Sequence, residues 1–152
     1  MKVLFVCRSN GARSQMAEAF FQEYSNQSVK SAGIDVSKTL YMGSSPGAKT
    51  IEIMRNCFGI DISKKKRKQV TTRMLNASKR VIILMTPSER RKLPAYFKKF
   101  RSKTVFWNVR DMRNARVNAP LVKRAKRIRR LVQKLVEKQV KNPKASIGAS
   151  SS

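Results

Sequence analysis

The chain has no histidine, and only two cysteines and eight acidic residues among its 152. Without histidine there is no Ser-His-Asp triad, no His-dependent zinc finger and no imidazole base working near neutral pH. Any acid or base catalyst must then come from the carboxylates, tyrosine, lysine or cysteine. Two cysteines, Cys7 and Cys57, are too few for a disulfide framework, so a reducing cytoplasm is the expected location. Long hydrophobic runs are missing too. Val3 to Cys7 is cut off by Arg8 before it reaches the length of a signal-peptide core, and no later run approaches the ~18 apolar residues of a membrane span. No stable membrane insertion is expected. No metal-ligand spacing is found, and neither a metal nor a cofactor is predicted.

Positive charge is what the sequence has in excess: 35 Lys and Arg give a formal net charge of +27. It concentrates in Lys64-Lys65-Lys66-Arg67-Lys68, in Lys98-Lys99-Phe100-Arg101, and in Lys123, Arg124, Lys126, Arg127, Arg129 and Arg130. Such a chain attracts polyanions in a salt-dependent way, which makes nonspecific nucleic-acid binding one candidate property. A non-enzymatic RNA- or DNA-binding protein is accordingly a second functional class. No zinc spacing or aromatic RNA-binding signature supports specific readout. The plain alternative is a proteome-wide basic bias, or adaptation to salt or abundant anions.

Hydrophobic patterning alternates between strand and helix. Lys2 to Cys7 reads as a strand, Ser9 to Ala12 as a tight loop, and Met16, Ala17, Phe20, Phe21 and Tyr24 as the buried face of a helix, with Glu18, Gln22 and Glu23 facing water. Ser28 to Ala32 is a second strand stopped by Gly33. Ile51 to Phe58 suggests a helix ended by Gly59. The continuous Val81-Ile82-Ile83-Leu84 core within Lys79 to Met85 implies a strand covered on both faces, and Lys103 to Trp107 is a fourth strand. From Ala119 to Lys141 an apolar stripe marks a long amphipathic helix. The prediction is one α/β domain over 1–141, a three-layer, doubly wound, four-stranded parallel sheet with helices on both faces. Residues 142–152 read as a disordered tail. In such folds ligands sit beyond the carboxyl ends of the strands, which points to the loop after the first strand.

That loop reads Cys7-Arg8-Ser9-Asn10-Gly11-Ala12-Arg13-Ser14, a Cys-x5-Arg-Ser pattern between strand and helix. A loop of this length can converge its backbone N–H groups at a helix N-terminus while the arginine returns to the rim as a bidentate clamp. A tetrahedral oxyanion, phosphate or arsenate, fits such a nest. Cys7 at its base is the candidate nucleophile, favoured as thiolate by the helix dipole, the N–H groups and Arg13. Ser14 could donate a hydrogen bond to it, and Asn10 could pin the loop through its side-chain amide. The plain reading of Cys7 is an inert core residue at a strand end.

Those residues carry a resemblance to the low-molecular-weight protein tyrosine phosphatase and arsenate reductase family. Val3-Leu4-Phe5-Val6-Cys7, Asn10 and Arg13-Ser14-Gln15-Met16-Ala17-Glu18 resemble its opening strand, phosphate loop and first helix. Ser31-Ala32-Gly33, Gly43 with Pro46 and Ala48, Gly59-Ile60-Asp61-Ile62-Ser63 and Val81-Ile82-Ile83-Leu84-Met85 are similar to later segments. The resemblance implies hydrolysis of phosphotyrosine-type phosphomonoesters through a phosphocysteine, on a phosphoprotein or a small phosphomonoester. Of three aspartates, Asp111 follows the fourth strand, and Trp107-Asn108-Val109-Arg110-Asp111 resembles the family's acid loop; Asp61 looks structural. Substrate contacts implied are those of Arg8, Ser9, Asn10, Gly11, Ala12 and Ser14, with Leu40 and Tyr41 walling the pocket.

Departures from the family pattern are also visible. Ser9 stands where the family usually has glycine, Ala12 replaces a second cysteine, and Met112 follows Asp111 in place of proline. An arsenate reductase using an external thiol is the runner-up, supported by Gln15. A thioredoxin-coupled one would need further thiols after the third strand, where Thr86-Pro87-Ser88-Glu89 has none. Cys57 is read as core packing. The oligomeric state is left open.

Overall fold

A computed structural model describes residues 3–37, 43–112 and 118–141. Four parallel strands, β1 (Val3–Cys7), β2 (Val29–Gly33), β3 (Arg80–Leu84) and β4 (Thr104–Trp107), form one sheet in the order β2-β1-β3-β4. All of β1 is buried because both its faces are covered. Val3, Phe5 and Cys7 enter one core, Leu4 and Val6 the other, as the two-residue period of a strand requires.

The first core is closed by α1 (Arg13–Tyr24), α2 (Ala48–Phe58) and α5 (Asn118–Lys141). Phe20 and Phe21 from α1, Met54 from α2 and Ile128 from α5 meet there under Phe5 and Leu84. The opposite core takes Leu75 from α3 (Thr72–Ala77) and Phe97 and Phe100 from a 3-10 helix at Ala95–Lys103. A short α4 (Pro87–Arg90) follows β3 directly. The doubly wound, four-stranded parallel architecture is therefore as the hydrophobic pattern predicts. Chain order places β2 on one side of β1 and β3 on the other, so the crevice at the strand carboxyl ends opens at Cys7.

Three side chains differ from expectation. Glu18 does not face water but is 5% exposed, accepting from Ser31 Oγ and from Lys65 Nζ, both at 3.1 Å. Tyr24 lies beyond the buried stripe and is 39% exposed. Cys57 is exposed on α2, not packed in the core, because Ile53 and Met54 define that helix's inner face. The expected tail 142–152 lies outside the described residues. No described helix is long and apolar enough to cross a membrane.

Candidate active site

β1 delivers Cys7 to the carboxyl edge of the sheet, nearly fully buried. The following loop commits its carbonyls outward. Those of Cys7 and Arg8 accept from the Ile34 and Asp35 amides, that of Gly11 from Gly47, and that of Ala12 from Met16. Ser9 O accepts from Arg67 Nε at 3.1 Å. Among the described residues, no backbone N–H from Ser9 to Ser14 donates to a protein acceptor. Ala12 caps α1 without a side-chain hydrogen bond, and no acidic residue sits in its first turn. The positive end of the helix dipole is thus left uncompensated next to Cys7.

Asn10 fixes this shape from beneath. Its φ of 56° lies in the left-handed region that asparagine tolerates. Fully buried, it donates to Ser14 Oγ at 2.7 Å and Ser31 Oγ at 3.1 Å, and accepts from Gln15 Nε2 and the Lys68 amide. Ser14 Oγ in turn lies 3.0 Å from Cys7 Sγ. Gly33 closes the base: a Cβ there would lie 2.7 Å from the Asn10 backbone nitrogen and 2.9 Å from the Arg8 carbonyl oxygen. Only glycine lets β2 approach the loop so closely.

Arg13 is not at the rim as expected. It is 2% exposed, and its two terminal nitrogens each donate to one Glu89 carboxylate oxygen at 2.8 Å, with Nη1 also donating to Val109 O at 2.9 Å. That leaves the Nε–Nη2 edge of the guanidinium without a described protein acceptor. Burial opposes the charge of Arg13, but hydrogen bonding to Glu89 and the negative charges of Cys7, Glu89 and Asp111 outweigh it and raise its pKa. Burial likewise opposes the Glu89 carboxylate, but hydrogen bonds from Arg13 and Thr86 prevail and hold its pKa at about 2.

A cleft of about 400 Å³ brings Cys7, Ser9, Gly11, Ala12, Arg13 and Asp111 together. Its far wall is Gly47 to Thr50, the start of α2, with Met112 and Leu121. The half-buried Asp111 thus shares the cleft of Cys7. Arg8 points elsewhere, its Nε 3.8 Å from Asp35. Asp61 is structural: it accepts from the Ser63 amide and from Arg55. Leu40 and Tyr41 lie outside the described residues.

A family model for low molecular weight phosphotyrosine protein phosphatases matches residues 2–151. The chain belongs to this family. It is a cysteine-dependent phosphatase family. A low molecular weight protein tyrosine phosphatase from T. tengcongensis is 26% identical, covering 91% of this chain and 99% of that one with a TM-score of 0.76. Wzb of Vibrio vulnificus, solved in complex with benzylphosphonate, is 23% identical over 90% of this chain and 97% of that one, with a TM-score of 0.78. Arsenate reductase from Archaeoglobus fulgidus DSM 4304 has the same fold, at 23% identity over 90% and 99% and a TM-score of 0.71. No curated protein matches the chain.

Several residues around this family site escape a reading of the sequence. Glu89 carried a signal, since Thr86-Pro87-Ser88-Glu89 has the form of a capping box with proline at the first helical turn, and the structure forms it. That box starts α4 at the end of β3 and aims Glu89 at Arg13. Arg67 had none. It lies inside a basic run that reads as solvated, yet it is 8% exposed and holds Ser9 O and, at 2.7 Å, Gly43 O. Within that run Lys65 is also engaged, with Glu18 and Gln22. These two members of the run brace the site from below, whereas Lys64, Lys66 and Lys68 are exposed. On α5, Arg124 donates to Asp111 O at 2.6 Å and Arg127 to Asn108 O, so part of the basic helix face holds the segment that follows β4.

Proposed function

We propose that Cys7, Arg13 and Asp111 carry the hydrolysis of phosphotyrosine-type phosphomonoesters on this chain. One observation supports it most: six consecutive loop residues, Ser9 to Ser14, with uncommitted N–H groups over a cysteine, in a cleft that also holds an arginine and an aspartate. In this reading the Cys7 thiolate attacks phosphorus, forming a P–S bond as the P–O bond to the aryl group breaks. Asp111 gives its proton to the departing oxygen. The loop amides and the Nε–Nη2 edge of Arg13 bind the equatorial oxygens, whose charge they match in the transition state. Asp111 then takes a proton from water, which attacks phosphorus; phosphate leaves, and the thiolate is restored with the Ser14 hydroxyl as its hydrogen-bond donor.

The substrate is a phosphoprotein or a small phosphomonoester. A cytoplasmic location fits this chemistry, since Cys7 has to stay reduced, and both cysteines are free. The arsenate-reductase reading shares the first attack but needs a thiol to resolve the arseno-cysteine. Cys57 is distant in role: it lines a different cleft with Phe20, Phe58 and Arg129. The phosphatase reading is therefore preferred.

The deciding measurement is rapid-mix turnover of an aryl phosphate. A burst of phenol equal to the enzyme concentration and a phosphorylated cysteine on acid quench are expected. In Cys7→Ser, steady-state turnover falls by about four orders of magnitude or more. Undiminished turnover in that variant would remove the mechanism, and arsenate-dependent consumption of glutathione outpacing aryl phosphate hydrolysis would turn the assignment to reduction.

A further inference from the structure

On the outer side of the sheet, a cleft of about 480 Å³ runs between β4 and the segment from α4 to the 3-10 helix. It shares no residue with the cleft of Cys7. Its floor is apolar, from Ile83, Leu93, Pro94 and Phe97, and its rim carries Arg90, Arg91, Lys98 and Arg101. Positive charge alone is no distinction in this chain. A lining without any carboxylate sets this cleft apart from three others.

Three other clefts each hold a carboxylate beside their cations: Asp111 with Arg13 and Lys49, Asp35 and Glu89 with Arg8 and Lys92, and Glu23 with Arg129. The β4 cleft has four cations and no carboxylate in its lining. Among the described residues, none of these four forms an ion pair. Each of Arg91, Lys98 and Arg101 is exposed. With only eight acidic residues in the chain, all placed elsewhere, their countercharge has to come from outside.

The second observation is aromatic. β4 is an edge strand, and Phe106 on it is 40% exposed within this cleft, with the Arg90 guanidinium 4.6 Å from its ring centroid. The exposed Phe106 with the half-buried Arg90 beside it, on an apolar floor, offers flat surface for stacking, and the cationic rim offers contacts for phosphates.

We propose that this cleft binds a single-stranded nucleic acid, with bases against Phe106, Arg90 and the apolar floor, and phosphates on Arg91, Lys98 and Arg101. A duplex offers the same phosphates but keeps its bases stacked inside, so it makes poorer use of the floor. An acidic polypeptide satisfies the rim and leaves the aromatic pair without a stacking partner. The proposal is independent of the catalytic reading, since the two clefts have no residue in common.

Fluorescence anisotropy with the full chain and a labelled ten-nucleotide oligouridine tests it, beside a ten-residue polyglutamate and a ten-base-pair duplex. Arg91→Glu with Arg101→Glu lowers oligouridine affinity by about tenfold or more, whereas the equal charge change Lys126→Glu with Arg130→Glu on the exposed side of α5 lowers it about twofold. Phe106→Ala weakens oligouridine by about fivefold and leaves polyglutamate unchanged. Aryl phosphate turnover stays at the wild-type level in all of these variants, which also reports that they fold. Should the charge reversals unfold the chain, Arg91→Ala with Arg101→Ala gives the same ranking. Equal losses from the cleft and α5 pairs would overturn the proposal in favour of diffuse attraction. Polyglutamate or duplex binding as tightly as oligouridine, or an unchanged affinity in Phe106→Ala, would overturn it in favour of another polyanion.

Discussion

The carboxyl edge of the sheet and its β4 edge are both furnished with arginine, yet the two regions use that charge in opposite ways. At the carboxyl edge, Arg13 is locked to Glu89, Arg67 to the Ser9 and Gly43 carbonyls, and Arg124 to the Asp111 carbonyl. Every such bond ties down a segment in or beside the cleft of Cys7. At the β4 edge, Arg91, Lys98 and Arg101 are exposed and have no carboxylate among the residues of their cleft. A buried guanidinium spends most of its donors within the protein and becomes a brace, Arg13 keeping only its Nε–Nη2 edge; an exposed one keeps its donors for a partner. Net charge is blind to that difference.

Substitutions on the two sides should therefore separate cleanly. The largest effect after Cys7→Ser is expected for Asp111→Asn, with aryl phosphate turnover falling by roughly 100-fold or more, and most for substrates with poor leaving groups. An equal loss for good and poor leaving groups would mean that Asp111 is not the acid. Next comes Arg67→Met, expected to reduce turnover about tenfold by freeing the Ser9 carbonyl and loosening the amide array. Oligouridine affinity should stay unchanged in the same variant. If Arg67→Met lost RNA binding and kept turnover, the contrast between brace and exposed charge would be inverted.

A smaller, pH-dependent effect belongs to Glu89. Its pKa is about 2 in the folded chain against an ordinary value of 4.5. Because the folded value is depressed, its contribution to stability is fully present above about pH 4.5 and is lost as the pH falls towards 2. Melting temperature should thus fall less steeply between pH 5 and 3 in Glu89→Gln than in the wild type. Asp61 titrates low as well, held by hydrogen bonds from Ser63 and by Arg55, but it is exposed and serves as the background present in both proteins. Parallel pH curves would show that the Arg13–Glu89 pair does not set acid stability. Smallest of all is Cys57→Ser. With Cys57 exposed and outside the catalytic cleft, turnover and arsenate-dependent thiol consumption should each change less than about twofold. Loss of thiol consumption alone would make it a resolving cysteine.

Much of the fold was legible because its signals are local. The apolar run Val3 to Cys7, the buried core of β3 and the helical stripe of α5 each announce period and burial within one segment. The short α3, α4 and the 3-10 helix carry too few residues to show a period, and they went unread. The Cys-x5-Arg-Ser loop with Asn10 was legible for the same local reason, whereas Asp111 was singled out by the resemblance of Trp107 to Asp111 to the family's acid loop. Glu18 misled because a charged residue on a helix reads as solvent-facing until Ser31 and Lys65 are known to sit beside it.

Sequence alone determined the alternation of strands and helices, the loop after the first strand and the family, since each rests on spacing along the chain. Tertiary structure decided which of the many cations are internal. It joined Arg13 to Glu89 across 76 positions, Arg67 to Ser9 across 58 and Arg124 to Asp111 across 13. Partner choice for a guanidinium depends on which carbonyls and carboxylates the folded sheet brings within about 3 Å, and spacing along the chain does not encode that distance.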